Sequence, residues 1–599
     1  MIVAITLVCF YICPLNEAYI TKVKQSNHEI LKQCVRNIVK NYFSNYSVIT
    51  YLDLYYDSDE IYEAVHSLKS INVIQRDKII GANKMDESYL IASSNTSTLI
   101  KVFPLIQREP SWNPHAYFLL IIKSLAEREL KEVFDILMKA HVLNVLILNG
   151  HSDPDIYTYN PYENYGCGRR YHRIIEYGKC LNPNTENLYP YKLVTGLENC
   201  TIRVTSPHWP PYSIDPNRRN NSHVGVEEFI FRQMGILEHF QVKFQYSDDA
   251  EIFTMINNDM AAVGPMYLIQ SDVTDAVLGG MILTHTRAHA FSYVYGHLSY
   301  TDEIRYQVQK AQPVPSWKYM YLEFSILIWI VFVLTFITFF FIFITLVKPS
   351  DKIKVIFVMF RYLLLNGVRI KGTYFTKYFF LIWIMFAFLI NIYYVSSFVS
   401  IATDPPVSYQ ISNEQDMTDY NLKPCVSDLM RNYLLSVENM TLGKNVGENC
   451  NGLLDSIQTV STSSSIYTVV LYSIYMYRRN QFYNQFGNPT TYSFPKPVNK
   501  IVYAMYLYKG FPLVEKLTKH AVRLRETGLI EYHLKDLHRQ NENKYMFAGE
   551  TRKSHVIVPW QILIVGYVVC SIVFLLEIVI SKKLYFRKLI LPSQRNVIT

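Results

Sequence analysis

Three long apolar runs interrupt the alternation of hydrophobic and polar positions along this chain. Phe324–Val347 and Tyr378–Ile401 each hold 24 residues without a charge, and Val556–Leu576 holds 21 before Glu577. At about 1.5 Å per residue each exceeds the roughly 30 Å hydrocarbon core of a bilayer, so each predicts a membrane-spanning helix. A fourth apolar stretch, Val355–Leu365, has only 11 residues and contains Arg361. It is too short to span and fits a re-entrant segment. Met1–Cys13, followed by Pro14 and Ala18, reads as a secretory signal over residues 1–18, with a buried N-terminal strand as the alternative.

Outside these runs the periodicity is that of an α/β protein. In residues 19–198, Val142–Leu148 is strand-like and Leu125–Ala140 helix-like. A tyrosine-rich stretch (Tyr157, Tyr159, Tyr162, Tyr165, Tyr171, Tyr177, Tyr189 and Tyr191) closes this part and suggests a packed, disulfide-tied surface. From Asn199 onward, Cys200–Thr205 reads as a strand, Gly225–Leu237 as a helix, Gln241–Tyr246 as a strand, Ile252–Met260 as helix-like and Ala276–Leu283 as a strand. Beyond the second long run, Ile501–Leu507 reads as a strand, and Pro512–Glu526 and Leu529–His538 as helices. Strands alternating with helices imply a mostly parallel sheet, with ligands bound at the carboxyl ends of the strands. One α/β binding domain thus appears split by membrane segments.

Composition sharpens the class. Of 599 residues, 50% are hydrophobic and only 18% charged, well below the roughly 25% of soluble domains. The net charge is +8, and its location decides what it means. Lys348–Lys377 holds seven basic residues and one acid, and the tail after Ile580 holds five basic residues and none. Their surplus exceeds the net charge, so the remainder of the chain is acidic and nothing here argues for nucleic acid. By the positive-inside bias both segments are cytoplasmic, which predicts a multi-pass plasma-membrane protein with its N-terminus outside and its C-terminus inside. The sequons at Asn45, Asn95, Asn199, Asn220 and Asn439 all fall on the expected outer side. So do Cys34, Cys167, Cys180, Cys200, Cys425 and Cys450, an even set in an oxidising compartment. Cys167–Cys180 and Cys425–Cys450 are the economical pairs, leaving Cys34–Cys200, with many connectivities open. No spacing for a metal site, a phosphate loop or a nucleophile–base pair stands out, so no enzyme and no cofactor is expected.

Several short motifs fall in a telling order. Asp275–Arg287, DAVLGGMILTHTR, with Asp275, Thr284 and Arg287 matching, resembles the first-lobe strand of the ionotropic glutamate receptor superfamily. Pro211-Tyr212 resembles that family's ligand-covering tyrosine turn, and Gly225–Ile230 the helix start that follows it. Tyr394–Thr403, YVSSFVSIAT, resembles the gate motif, with Tyr394 and Thr403 literal and Ser396, Ser397 and Ser400 at its tight-packing positions. The likeness covers residues 199–580 and is specifically to the divergent arthropod ionotropic receptors used in chemosensation. It implies a two-lobed, periplasmic-binding-protein-like ligand-binding domain split by three spans and a re-entrant loop, behind a reduced N-terminal α/β domain. The implied divisions are 19–198 N-terminal domain, 199–323 first lobe, 324–347 first span, 348–377 pore loop, 378–401 gate helix, 402–555 second lobe, 556–580 last span and 581–599 tail.

The resemblance also implies roles. Ligand-binding positions are Arg287, Tyr212, Gly280, Ile282 and Thr284. Pore and gate positions are Asn366, Gly367, Tyr394, Ser396, Ser397, Ser400 and Thr403. A guanidinium suits a ligand carboxylate. The family's second-lobe acid appears lost, because Ser456–Lys500 contains no Asp or Glu, and Ile282 stands where the family has threonine. The implied ligand is therefore a small polar or acidic molecule other than glutamate. The implied partners are co-receptor subunits in a heterotetramer, permeant cations and membrane lipid. A membrane-anchored ligand-binding or auxiliary subunit that conducts no ions is the alternative.

Overall fold

The computed structural model describes residues 27–590 except 45–47, 55–59, 69–71, 77–84, 151–153, 195, 219–223, 249–252, 258–259, 299–300, 316–317, 347–351, 365, 368–372, 404–405, 485–486 and 544–556. The expected signal segment, Asn45, Asn220 and residues 591–599 of the expected cytoplasmic tail lie outside them.

The first part of the chain runs α1 (Asn27–Ile38), β1 (Val48–Leu54), α2 (Glu60–His66), β2 (Asn72–Arg76), β3 (Ser88–Asn95), α3 (Thr96–Gln107), β4 (Tyr117–Ser124), α4 (Glu127–Lys139), β5 (Val145–Asn149), β6 (Asp155–Tyr159) and β7 (Ile174–Lys179). These strands form one seven-stranded sheet, ordered β2-β1-β3-β4-β5-β6-β7. β1 to β5 pair in parallel and β6 and β7 are antiparallel. The apolar runs of β3, β4 and β5 are buried on both faces, as parallel strands covered by helices require. Successive residues alternate between two cores: Tyr51, Leu90, Leu119 and Leu146 join one, and Leu52, Ile91, Leu120 and Ile147 the other. α4 buries Leu130, Val133, Phe134 and Leu137, a helical stripe, against the second core.

The chain continues with β8 (Thr201–Pro207), α5 (Val226–Leu237), β9 (Gln241–Ser247), β10 (Met255–Ile256), β11 (Ala262–Val263), α6 (Tyr267–Gln270), β12 (Ala276–Val277), α7 (His285–Ala290), β13 (Ser292–Tyr295) and β14 (Asp302–Gln309). Then come α8 (Tyr319–Leu322), α9 (Ile326–Leu346), α10 (Lys352–Leu363) and α11 (Tyr374–Thr403). After them follow α12 (Glu414–Asp419), β15 (Lys423–Pro424), α13 (Asp428–Ser436), α14 (Leu453–Thr462), β16 (Ile466–Leu471), α15 (Tyr472–Arg478), β17 (Thr491–Ser493), β18 (Asn499–Ile501), β19 (Ala504–Leu507), α16 (Val514–Glu526), α17 (Leu529–Asn543) and α18 (Ile557–Ile590).

Two further five-stranded sheets are each assembled from both sides of the α9–α11 insertion. The second sheet is ordered β13-β19-β12-β8-β9, so β19 sits between two strands that precede the insertion. The third is ordered β15-β16-β14-β17, with β18 also pairing β14, so its earlier strand β14 is embraced by later ones.

Two strand expectations and one helix expectation need correction. Ile501–Leu507 is two strands, because the chain leaves the third sheet after Ile501 and joins the second at Ala504. Ala276–Leu283 is a strand only over Ala276–Val277. Gly279 and Gly280 then take φ of +114° and +71°, a left-handed turn no strand continues through. The helix-like Ile252–Met260 carries the short strand β10 instead.

Among the described residues, three helices are long and apolar enough to cross a membrane: Ile326–Leu346, Tyr374–Ile401 and Leu563–Lys582. α10 is a fourth, shorter helix of 12 residues, about 18 Å long. It packs against α9 and α11 through Val355, Met359 and Tyr362, which join Phe343, Phe380 and the fully buried Trp383 in one core. Trp383 Nε1 donates to the Met359 carbonyl at 3.4 Å, and Asn391 Nδ2 to the Leu363 carbonyl. The segments entering α8 and leaving α11 pair with each other. Pro313 bridges Val407, Val314 N donates to Pro406 O at 2.9 Å, and Ser408 N to Gln312 O at 2.9 Å.

All six expected cysteines form disulfides: Cys34–Cys180, Cys167–Cys200 and Cys425–Cys450. Of the two economical pairs Cys425–Cys450 forms and Cys167–Cys180 does not, nor does the remaining Cys34–Cys200. Cys180, at the end of β7, lies in the same core as Cys34 of α1, and Cys167 sits where the tyrosine-rich loop meets the start of β8. Within that loop Tyr159, Tyr162 and Tyr189 are buried, which fits a packed surface.

Candidate functional site

β8 ends at Pro207, and the turn after it is closed by the Trp209–Ser213 bridge. This turn carries Tyr212, which is completely buried, beneath the glycine turn after β12. A Cβ on Gly280 would lie 2.5 Å from the Tyr212 ring, so only glycine lets the two turns touch. The glycine turn is held from behind. Gly279 N and Gly280 N donate to Glu227 Oε2 at 2.7 and 3.0 Å, and Glu227 Oε1 meets His297 Nε2 at 3.0 Å. Glu227 and His297 are both fully buried, and two backbone donors plus an imidazole satisfy that carboxylate.

From Tyr212 a polar chain reaches the third sheet. Its hydroxyl shares a hydrogen bond with Ser473 Oγ at 2.8 Å. Ser473, in α15, donates to Asp302 from its hydroxyl and, at 3.0 Å, from its backbone N–H. Tyr503 O–H donates to Asp302 Oδ2 at 2.6 Å and its ring lies 4.7 Å from that of Tyr212. Asp302 opens β14, and Tyr503 sits between β18 and β19, so this cluster occupies the place where the chain passes between the two sheets. Burial pushes the Asp302 carboxyl above its usual pKa, with the Ser473 and Tyr503 donors opposing.

Beside this cluster lies a cavity of about 380 Å³. His208, Trp209, Arg218 and Asp248 line it from the second-sheet side, and Leu453, Ile474 and Arg478 from the third-sheet side. Arg218 pairs with Asp248. His208 Nδ1 accepts from Asp215 N at 3.1 Å, which leaves the proton of the neutral ring on Nε2. Burial lowers the His208 pKa, and Arg478 and Arg218 lower it further. The cavity thus offers two guanidinium groups, a neutral imidazole and an indole wall.

Arg287 was expected to face a ligand carboxylate, and its surroundings are different. It is only 2% exposed. Its Nη1 donates to Ile282 O at 2.7 Å and its Nη2 to Thr254 O at 2.9 Å, and the Phe253 ring covers it at 4.6 Å. Both terminal nitrogens are thus engaged by the protein's own backbone. Ile282 supplies one of those carbonyls and also accepts from Tyr506 O–H at 3.0 Å. Thr284 caps α7, accepting from Arg287 N at 3.4 Å. The structure therefore brings Tyr212 and Gly280 together and groups Ile282, Thr284 and Arg287 as a second cluster, with Ile282 and Arg287 buried and Thr284 half-buried. Asp302, Ser473, Tyr503 and His208 were missed. Asp302 precedes the membrane runs, whereas the resemblance implied an acid after them.

The pore and gate positions lie on α11 and at the end of α10. Asn366 and Gly367 are exposed, and Asn366 N donates to Arg361 O at 2.8 Å. Ser396, Ser400 and Thr403 are exposed and Tyr394 and Ser397 half-buried. Thr403 O–H donates back to Val399 O and Ser400 O at 3.0 and 2.8 Å. Of the sequons, Asn95, Asn199 and Asn439 are exposed. No protein-family model matches this chain, and no curated protein is similar to it.

Proposed function

We propose that this protein is a chemosensory ligand-gated cation channel subunit, built on the plan of the divergent ionotropic receptors. The observation that carries the reading is the topology. Two sheets are each completed by strands from both sides of one membrane insertion. An insertion of that kind couples any movement between the sheets to the helices between them. The second and third sheets are then the two lobes of a binding-protein-like clamshell, residues 19–198 its N-terminal domain, and α10 the re-entrant pore segment. The plasma membrane is the location, with the basic segments inside.

Ligand enters between the lobes beside Tyr212, in the cavity that His208, Arg218 and Arg478 line, and favours their closure. It shifts channel opening only by its differential affinity for closed and open lobes. The paired linkers at Pro313 and Val407 then transmit one displacement to both α9 and α11. The ligand is not glutamate. Arg287 is 2% exposed and already donates from both terminal nitrogens to backbone carbonyls, and Asp302, the carboxylate of the Tyr212 cluster, already accepts from Ser473 and Tyr503. Asn366 and Gly367 face the permeant cations with an amide and backbone carbonyls. Co-receptor subunits of the same family complete a tetramer.

The test is electrical. Co-expressed with candidate co-receptor subunits, this chain should give ligand-dependent currents whose reversal follows the cation gradient. A chain that reaches the surface and binds ligand yet passes no current with any partner would favour the auxiliary-subunit reading instead.

A further inference from the structure

Away from the cleft, a groove of about 1040 Å³ runs between the first sheet's flank and the start of α16. Its size is at the upper end for small-molecule sites, which run to roughly 1,000 Å³. Tyr191 lines one side and Tyr293 and Tyr295 the other. Lys509 stands in the turn from β19 to α16, and that turn is tightly fixed. Gly510 has φ +93°, and a Cβ there would meet Pro114 at 2.7 Å. Gly510 N donates to Ser292 Oγ at 3.0 Å, and the Tyr508 ring stacks on His141 at 4.0 Å.

Lys509 is half-buried and has no ion-pair or hydrogen-bond partner among the described residues. Burial alone pulls its pKa from 10.5 to about 8. A desolvated ammonium without a counter-charge is unfavourable for the folded chain and correspondingly ready to take an anion. The rest of the lining keeps that bias. Among the described residues Lys519 is exposed and unpaired, Lys516 is paired to Glu238 at 3.7 Å, and Glu515 is the only acid lining the groove. Exposed tyrosine faces supply the flat apolar contact that an aromatic ring needs.

We propose that this groove is a second ligand site, for a small aromatic anion such as an aryl carboxylate, with Lys509 as counter-charge and Tyr191, Tyr293 and Tyr295 as walls. It shares no residue with the cavity beside Tyr212, so it stands or falls apart from the channel reading.

Titration calorimetry on the full-length protein in nanodiscs, with benzoate and its neutral isostere benzamide as probes, tests it. Benzoate should bind saturably, and benzamide about tenfold or more weakly. Lys509→Met should weaken benzoate by a similar factor and leave its unfolding temperature unchanged or raised, because a lone desolvated charge is gone. Lys509→Arg should retain binding. Near pH 8 benzoate should take up protons, seen as a buffer-dependent heat, because the bound anion raises the Lys509 pKa. Absence of benzoate binding, equal binding of benzamide, or unchanged binding in Lys509→Met would each overturn the proposal. So would loss of binding in Ser473→Ala with retention in Lys509→Met, which puts the anion in the cleft.

Discussion

Asp302 gathers donors from Ser473 and Tyr503 at the crossing between two sheets, and its removal strands them. Asp302→Ala should cost roughly 1–3 kcal/mol of stability, the range for a buried polar group left unpaired. Its titration has a definite sign. Burial raises the folded-state pKa above the unfolded value, so the folded chain holds this proton more tightly. The resulting stabilisation is complete below the ordinary carboxylate range and is lost as pH rises through the folded-state pKa. Unfolding temperature followed from pH 4 to 7 should show that decline, and Asp302→Asn should flatten it; an identical profile in the variant would remove Asp302 as its source. The same cluster indicates what a sequence conveys about a site. The proline turn at Tyr212 was legible, but its contact with Gly280 was not, because the glycine pair reads as part of an apolar strand and only its positive φ angles make it a turn. The surroundings of Arg287 were not, because its acceptors include Thr254, 33 residues upstream, and nothing local marks that carbonyl as a partner.

At the level of elements, α10 is held by side chains rather than by its own length. Trp383 is fully buried and its indole donates to the carbonyl of Met359. Trp383→Ala should lose about 3–5 kcal/mol through the cavity it leaves. A thermal-stability assay in detergent micelles would read this as a clear drop in midpoint, and no drop would mean that α10 is not anchored there. Cys34–Cys180 ties α1 to the end of β7 across a separation of 146 residues. Reduction or the double serine variant should cost about 2–4 kcal/mol, seen as an earlier unfolding transition. In the first sheet β5 was readable from the apolar run Val142–Leu148, and α4, α5, α16 and α17 were readable as helices. The disulfide partners were not, since short loops are economical only when the chain between the cysteines has nowhere else to go. Here β6 and β7 carry Cys180 back beneath α1, and the tyrosine loop brings Cys167 to β8.

For the whole molecule, the sidedness can be tested by its sugars. Asn95 and Asn439 are exposed and stand before and after the α9–α11 insertion. Two crossings between them put both on one side; a third, by α10, would part them. Both should therefore carry glycans, each Asn→Gln change removing one mobility step after glycosidase mapping. A glycan at Asn95 with none at Asn439 would argue that α10 crosses. The three long apolar helices were legible from hydropathy, whereas the interleaving of strands around them was not, because pairing is set by tertiary register and leaves no local mark. That interleaving governs how the protein is made. β12 and β13 have β19 between them and nothing else to join them. During synthesis both emerge long before residues 504–507 exist, with two spans to be inserted in the interval. At roughly 5–20 residues per second, the unfinished sheet waits on the order of ten to forty seconds with two open edges. The nascent protein should therefore depend on chaperones that shield strand edges, and a chain cut anywhere before β19 should be recognised as misfolded and degraded, however well its membrane helices insert.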